Sequence, residues 1–304
     1  MMAALLGQII VMALLMGGGA VLKKRGMLSE QSSRELGSIL VNVIIPCVIL
    51  KSYMVEFSLE QAKSLVLSAV LSLLSLVVAM GISYAAFGSR HGILNFASAF
   101  GNAGFMGIPL AQALLGEQAV FYIAAYVALL NLFQWTYGLY VMTGDKAVIR
   151  PTVILRNPVL LSILFGVILF LLPVHYPDVL VKVLGHITAM NTPVAMVVLG
   201  TYLAEMDWKQ FHYTHGLLLC MALRLAIIPS VTLGLFRFLP VDNTVMLMTL
   251  LIASATSVGG NIAIFARQQG ADYLLSVTAV CLSTILSLAT LPVFLCLAQS
   301  LLGR

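Results

Sequence analysis

Long apolar runs, separated by short polar or charged breaks, follow one another along the whole chain. A helix needs about 20 mainly apolar residues to cross a bilayer, and most of these runs reach that length. The pattern predicts an all-α integral membrane protein with ten transmembrane helices. Their approximate bounds are 3–22, 36–54, 64–87, 93–115, 118–142, 156–173, 182–204, 215–238, 244–266 and 273–301.

The composition excludes most soluble classes of protein. Of the 304 residues, 61% are hydrophobic and only 9% are charged, and the mean hydropathy is +1.05. A soluble domain carries about 25% charged residues. The polar residues are too few to cover the surface of a water-soluble protein. Soluble enzymes, nucleic-acid-binding proteins and disordered chains are therefore excluded. We expect the protein to lie in a lipid bilayer.

Side chains that serve catalysis or proton transfer are scarce in the apolar runs. All Asp and Glu residues fall in loops or near span ends, and the five histidines lie in or near loops. Prenyl transferases and aspartyl proteases of membranes need paired acids, and we therefore expect no enzyme. Ion coupling is not readable from the chain. The four cysteines have no CxxC pair, so we predict buried thiols and no metal or other cofactor.

Cations are unevenly shared between alternate loops. With the first loop in the cytoplasm, ten Lys and Arg residues fall on the cytoplasmic side and five outside. Positive loops stay in the cytoplasm, so we expect a multi-pass cell-membrane protein with both termini outside. Because the first apolar run has cations after it and none before it, it resembles a retained helix and not a signal peptide. The two groups are Lys23, Lys24, Arg25, Arg34, Arg90, Lys146, Arg150, Arg156, Lys209 and Arg267 inside, and Lys51, Lys63, Lys182, Arg237 and Arg304 outside.

The longest polar connection, at 143–155, divides the chain into halves of five spans, 1–143 and 144–304. An odd number of spans per half gives the halves opposite orientations, as in the inverted repeats of secondary transporters. The second span of each half carries a proline after a polar residue. These are Pro46 in LVNVIIPCVIL and Pro193, beside Asn191, in ITAMNTPVAMVVL.

The fourth span of each half is interrupted by glycines and amides, at GNAGFMGIPL (101–110) and SATSVGGNIAIF (254–265). Helix breakers at mid-membrane are tolerated where the opened backbone lines a cavity, and half-helix N-termini there attract anions. We therefore predict a site for a small anion, such as a carboxylate, at the crossing of the two breaks. The predicted binding residues are Gly101, Asn102, Gly104, Gly107, Pro109, Ser257, Gly259, Gly260 and Asn261.

Two simpler interpretations of these residues stay open. The glycines could serve close helix packing, as small residues do in membrane proteins. The hydroxyls of Ser254, Thr256 and Ser257 could bond back to carbonyl groups of their own helix. Ser254 and Thr256 are therefore predicted only to support the site, together with Pro46, Asn191, Pro193 and Arg224.

Arg224, in MALRLAIIPS, is the one ionisable residue near the middle of a predicted span. A charge at that depth costs roughly 2.5–3.5 kcal/mol on insertion scales and marks a functional candidate. Three roles are open for it. The guanidinium could bind backbone carbonyls of a broken helix, could attract the substrate anion, or could extend to the membrane surface.

The first interrupted span and several later segments of the chain resemble the auxin efflux carrier family, which includes plant auxin exporters and bacterial organic-acid transporters. The similarity is distributed over nearly the whole chain, and FGNAGFMGIPL (100–110) is its most specific part. Weaker similarities follow in order in the later spans. They are RNPVLL (156–161), PVAMVVLGTYLA (193–204), MALRLAIIP (221–229), NIAIFARQQGADYLLSVTAV (261–280) and TLP (290–292).

The resemblance implies ten spans in a five-plus-five inverted repeat. It also implies a dimerising scaffold of spans 1, 2, 6 and 7 and a mobile unit of spans 3–5 and 8–10. The substrate carboxylate would bind against Asn102 where spans 4 and 9 cross. The chain departs from plant members in three places: Ser257 and Ile262 replace crossover prolines, span 3 lacks an Asp/Lys pair, and the long cytoplasmic loop is absent.

We therefore expect a secondary transporter of a small organic anion, either auxin-like or a mono- or dicarboxylate. The alternative within transport is a Na⁺- or H⁺-coupled carrier of another solute, which a Na⁺ site at the hydroxyls and carbonyls of span 9 would favour. A receptor or channel is a different class. The paired breaks argue against it, because a pore needs no second copy of the break.

Overall fold

A computed structural model describes residues 2–172, 176–205 and 215–302, and these residues form helices and no β-strand. Lys209 and Arg304, two of the loop cations counted above, and His175 and His212 lie outside this part of the chain. The helices are α1 (Met2–Lys24), α2 (Glu30–Tyr53), α3 (Leu59–Phe87), α4a (Gly92–Ala99), α4b (Ala103–Leu115), α5 (Glu117–Thr143), α6 (Pro158–Leu171), α7 (Asp178–Glu205), α8 (His215–Phe238), α9a (Thr244–Ala255), α9b (Asn261–Gln269) and α10 (Tyr273–Leu302).

The all-helical membrane class predicted from the sequence is confirmed. Within the described residues, seven helices are long and apolar enough to cross a membrane, namely α1, α2, α3, α5, α7, α8 and α10. The apolar helices α4b, α6 and α9a are shorter. Their lengths leave the ten-span count and the five-plus-five repeat as predictions.

Local sequence signals explain most helix ends. The hydroxyls of Ser29 and Ser58 accept backbone N–H bonds from Ser32 and Gln61, which caps the starts of α2 and α3. The Ser29 cap makes α2 begin six residues before the predicted start, on a polar first turn. Gly116, with φ +82°, joins α4b to α5 in a single residue, in a conformation that other residues rarely adopt.

Three helices contain a wide π-helical turn directly before an Ile-Pro pair. The turns are Leu40–Ile44, Ala103–Gly107 and Leu223–Ile227, and each is followed by isoleucine and then proline. Proline lacks an N–H and its ring clashes with the carbonyl four residues earlier. The isoleucine N–H bonds five residues back, to the O of Leu40, Ala103 or Leu223. The widened turn therefore accommodates Pro46, Pro109 and Pro229.

The helices pack in two sets. In the first, α1 lies along the second part of α7 (Asn191–Glu205), and α6 and the first part of α7 pack on the second part of α2. In the second, α3 packs on α5 and α4a, while α9a packs on α10, α5 and α8. The α2 and α6 helices meet α5 between the sets. The halves of the chain are thus interleaved in space.

Glycines allow a close backbone contact between α1 and α7. A Cβ atom on Gly19 would overlap the carbonyl of Val197, and one on Gly200 would overlap the carbonyl of Met16. Small residues let transmembrane helices approach closely and pack by van der Waals contact. The sequence LLMGGGA therefore marks an interface helix, and Gly19 is the glycine of that triplet that touches α7.

Gly19→Ala is expected to lower the melting temperature of the purified protein, because α1 must move away from α7. Overpacking of this kind costs about 1–3 kcal/mol. Gly18→Ala is the matched control, since a Cβ at Gly18 has no neighbour within 4 Å. Equal melting temperatures for the two variants would contradict the close contact.

Candidate functional site

The two interrupted segments lie side by side. The backbone N–H of Asn102 donates to the carbonyl of Ser257 at 2.8 Å, and that of Gly259 donates to the carbonyl of Phe100 at 3.0 Å. Gly101 and Val258 thereby form an antiparallel bridge. The breaks leave backbone groups without helical partners, and these two bonds satisfy part of that need.

Arg224 lies behind this bridge and is fully buried. Its Nε donates to Thr256 O at 3.1 Å, and its Nη1 donates to Ser98 O at 3.3 Å and to Ala99 O at 3.1 Å. Its Nη2 donates to Ser254 O. These carbonyls end α4a and α9a, where the helix dipoles are negative. Of the three roles open for Arg224, the contacts match the binding of backbone carbonyls.

Two of the three nearby hydroxyls, those of Ser254 and Thr256, bond to carbonyls of their own segment, whereas that of Ser257 contacts other helices. Ser254 Oγ donates to Leu251 O at 3.0 Å, and Thr256 Oγ1 donates to Ala253 O at 2.9 Å. Ser257 is fully buried, and its Oγ faces Met106 Sδ and Thr284 Oγ1. The local-bonding interpretation of Ser254 and Thr256 therefore matches the structure.

On the other side of the bridge lies a cavity of about 710 Å³. Its inner end is formed by both breaks, at Gly101, Asn102 and Gly104 of the first and at Gly259, Gly260 and Asn261 of the second. Apolar and aromatic side chains line its length, among them Phe105, Val127, Leu130 and Trp135. Six of the nine predicted binding residues thus share one cavity wall.

Amide groups concentrate at the inner end. Asn102 Oδ1 caps α4b by accepting from Phe105 N at 3.3 Å, while its Nδ2 is buried and has no hydrogen-bond partner among the described residues. Asn261 Nδ2 donates to Gln134 Oε1 at 2.9 Å. Gln134, which is 1% exposed and begins another wide turn, Gln134–Gly138, was not among the predicted site residues. Two amides close together in one apolar run, Asn131 and Gln134, were the available signal.

Charged side chains occupy the cavity mouth. Glu30 pairs with Arg34 and, at 3.5 Å, with Arg267 of α9b. Glu205, a further residue of the cavity wall, pairs with Lys23 at 2.7 Å. All acidic groups that line the cavity are thus at its mouth, and the wall at its inner end is neutral.

The other predicted residues lie outside the cavity wall. Gly107 serves packing, since a Cβ there would lie 3.2 Å from Ile123 Cδ1, and Pro109 is buried within α4b. Pro46 follows the wide turn of α2, and Pro193 lies near the start of the second part of α7. Asn191 is fully buried at the break after Ala189, with both amide atoms unpartnered among the described residues. These five predicted residues therefore lie within or at the ends of helices near the site and do not line the cavity.

The inner end suits a small anion. The N-termini of α4b and α9b direct positive dipole ends toward it. Some first-turn N–H groups are already bonded locally, that of Phe105 to Asn102 Oδ1 and those of Ile262 and Ala263 to carbonyls at the start of α9b. The free Asn102 amide adds a side-chain donor. Arg224 provides a positive charge behind the bridge, but its donors are directed at carbonyl oxygens on the far side.

Comparison with known proteins identifies related sequences. A family model described as "Membrane transport protein" matches residues 4–154 and 149–295. The chain is also 28% identical over 288 residues to an uncharacterized transporter from Methanothermobacter thermautotrophicus, and the match covers 91% of this chain and 92% of that protein.

Proposed function

Because the chain belongs to the membrane transport protein family, as its resemblance to auxin efflux carriers indicated, and is a transporter rather than an enzyme, we propose that it carries a small organic anion. The anion binds at the inner end of the cavity, where the two broken helices cross. The observation that carries this proposal is the unpartnered Asn102 amide between two half-helix N-termini. A carboxylate oxygen would accept from that amide and would lie at the positive dipole ends of α4b and α9b.

Alternating access follows from the two helix sets. The first set, α1, α2, α6 and α7, acts as a scaffold and dimer interface, and the second, α3–α5 and α8–α10, carries the site across the membrane. The cavity wall includes both sets, for example Ile45 of α2 and Asn102 of the break before α4b. Sliding between them would expose the same inner end to either side. This elevator-like motion belongs to the ten-span inverted repeat expected from the sequence.

The orientation expected from loop charges places the cavity mouth in the cytoplasm. The mouth residues Glu30, Arg34 and Arg267 lie on the same side as Lys23 and Glu205. With both termini outside, as the positive-inside rule favours, this structure is the cytoplasm-facing state of a cell-membrane carrier. Substrate would enter past paired charges and reach a neutral, amide-rich end.

The test is uptake into proteoliposomes across a panel of mono- and dicarboxylates, each paired with its neutral amide analogue. We expect uptake of at least one carboxylate above that of protein-free liposomes and none of its amide. An amide transported as fast as its acid would contradict anion recognition at the inner end. Gradients of pH and Na⁺, applied separately, test the alternative of a Na⁺- or H⁺-coupled carrier of another solute.

A further inference from the structure

Four backbone carbonyl oxygens surround the guanidinium of Arg224 and accept its hydrogen bonds. They come from the C-terminal ends of two half-helices in different halves of the chain, Ser98 and Ala99 of α4a and Ser254 and Thr256 after α9a. Backbone carbonyls at such ends carry negative dipole charge. In transporters with broken helices, this kind of oxygen set coordinates the coupling cation.

Carbonyl oxygens alone balance the charge of Arg224. None of the buried polar residues among the described residues is Asp or Glu. The hydroxyls of Ser254 and Thr256 are directed at their own helices and not at the guanidinium. The fork of Arg224 donates to four carbonyls, which matches a planar group with five N–H donors.

The surrounding backbone is shaped to this group. A Cβ atom on Gly101 would lie 2.9 Å from Arg224 Nη2 and 2.5 Å from Thr256 Oγ1. Glycine at this position therefore leaves the room that the guanidinium fills. The bridge between Gly101 and Val258 lies between this group and the cavity, whose wall includes Gly101 and not Arg224.

We propose that the guanidinium of Arg224 is a built-in cation that occupies the place of a soluble coupling ion. It holds the ends of α4a and α9a together in the way that a bound Na⁺ would. The carrier consequently needs no Na⁺ to assemble its site or to move its substrate. The statement on substrate movement rests on the proposed transport function, whereas the statement on site assembly does not.

Arg224→Ala empties the site, and free guanidinium ion is the probe that refills it. We expect a lower melting temperature for Arg224→Ala and a rise that saturates with millimolar guanidinium, because a ligand of the folded state stabilises it. Urea, a neutral molecule of the same shape, is the matched control and should give no rise. The wild type should respond to neither.

The melting measurement uses no substrate. It therefore tests the role of Arg224 in assembling the site even if no carboxylate is transported. In proteoliposomes, wild-type uptake should be equal in Na⁺, K⁺ and choline media, and guanidinium should restore uptake by Arg224→Ala. A folded Arg224→Ala protein without a guanidinium response would overturn the proposal, and so would wild-type uptake or melting that rises with Na⁺.

A second pair of variants covers the case in which Arg224→Ala does not fold. Arg224→Lys keeps a positive charge, and Arg224→Gln keeps a hydrogen-bond donor without the charge. We expect Arg224→Lys to melt at a higher temperature than Arg224→Gln. Equal values, or the reverse order, would show that the site needs donors and not a cation.

Discussion

Asn102→Ala is expected to reduce uptake of the transported carboxylate strongly at low substrate concentration. Asn102 Nδ2 has no hydrogen-bond partner among the described residues and lies at the inner end of the cavity, and hydrogen bonds to charged groups contribute about 1.5–3 kcal/mol. At about 1.4 kcal/mol per factor of ten, the apparent affinity should fall roughly 10- to 150-fold. Concentration-dependent uptake in proteoliposomes measures this loss.

The helix cap of Asn102 requires a control, since Oδ1 also accepts from Phe105 N. Serine caps helices about as well as asparagine but lacks the amide N–H₂. Asn102→Ser should therefore keep the wild-type melting temperature and still lose uptake. Asn131→Ala changes another amide of the cavity wall, one whose Nδ2 already bonds to Val127 O, and should retain transport. Normal uptake by a folded Asn102→Ser protein would remove this residue from the site.

Gly259→Ala is expected to disrupt the backbone contact between the two breaks. A Cβ atom there would lie 2.9 Å from Gly101 O, a backbone atom held by the bridge, and 3.3 Å from Gln134 Nε2. Overpacking costs about 1–3 kcal/mol, and the bond from Gly259 N to Phe100 O would be strained as well. We expect a lower melting temperature and loss of uptake.

Gly260→Ala, one residue later, is the matched control. Its Cβ would meet only Tyr202 Cε2, at the ordinary contact distance of 3.6 Å. This variant should melt as the wild type does. If both alanine variants behaved alike, the close approach of the two breaks at Gly259 would be wrong.

Signals within a few residues of each other were enough to predict many helix ends and the two helix breaks. Ser29 and Ser58 have the side chains that cap helices, and Ile-Pro pairs indicate where helix geometry must change. The glycines and amides at 101–110 and 254–265 interrupt otherwise apolar runs, so the breaks could be located. Span ends differed by several residues, as at α2, because a polar first turn adds no hydrophobicity to the run.

Contacts between distant residues could not be read in the same way. Gln134 shares its apolar run with another amide, Asn131, and only its bond to Asn261 places Gln134 at the site. The glycines of LLMGGGA are alike in sequence, yet a Cβ atom on Gly19 would overlap Val197 of α7, whereas one on Gly18 would have no neighbour within 4 Å among the described residues. For Arg224, the sequence left three roles open, and the surrounding carbonyls identify the contacts that it makes.

The sequence by itself determined the membrane class, the positions of the helix breaks and the presence of one charge at mid-span. These properties follow from hydrophobic periodicity, helix caps and proline sterics, which act over a few residues. Only the tertiary structure decided that Gly101 pairs with Val258, that Arg224 joins the ends of α4a and α9a, and that Asn102 keeps a free donor. Those facts depend on carbonyls and amides far apart in the chain, whose pairing is set when the helices pack.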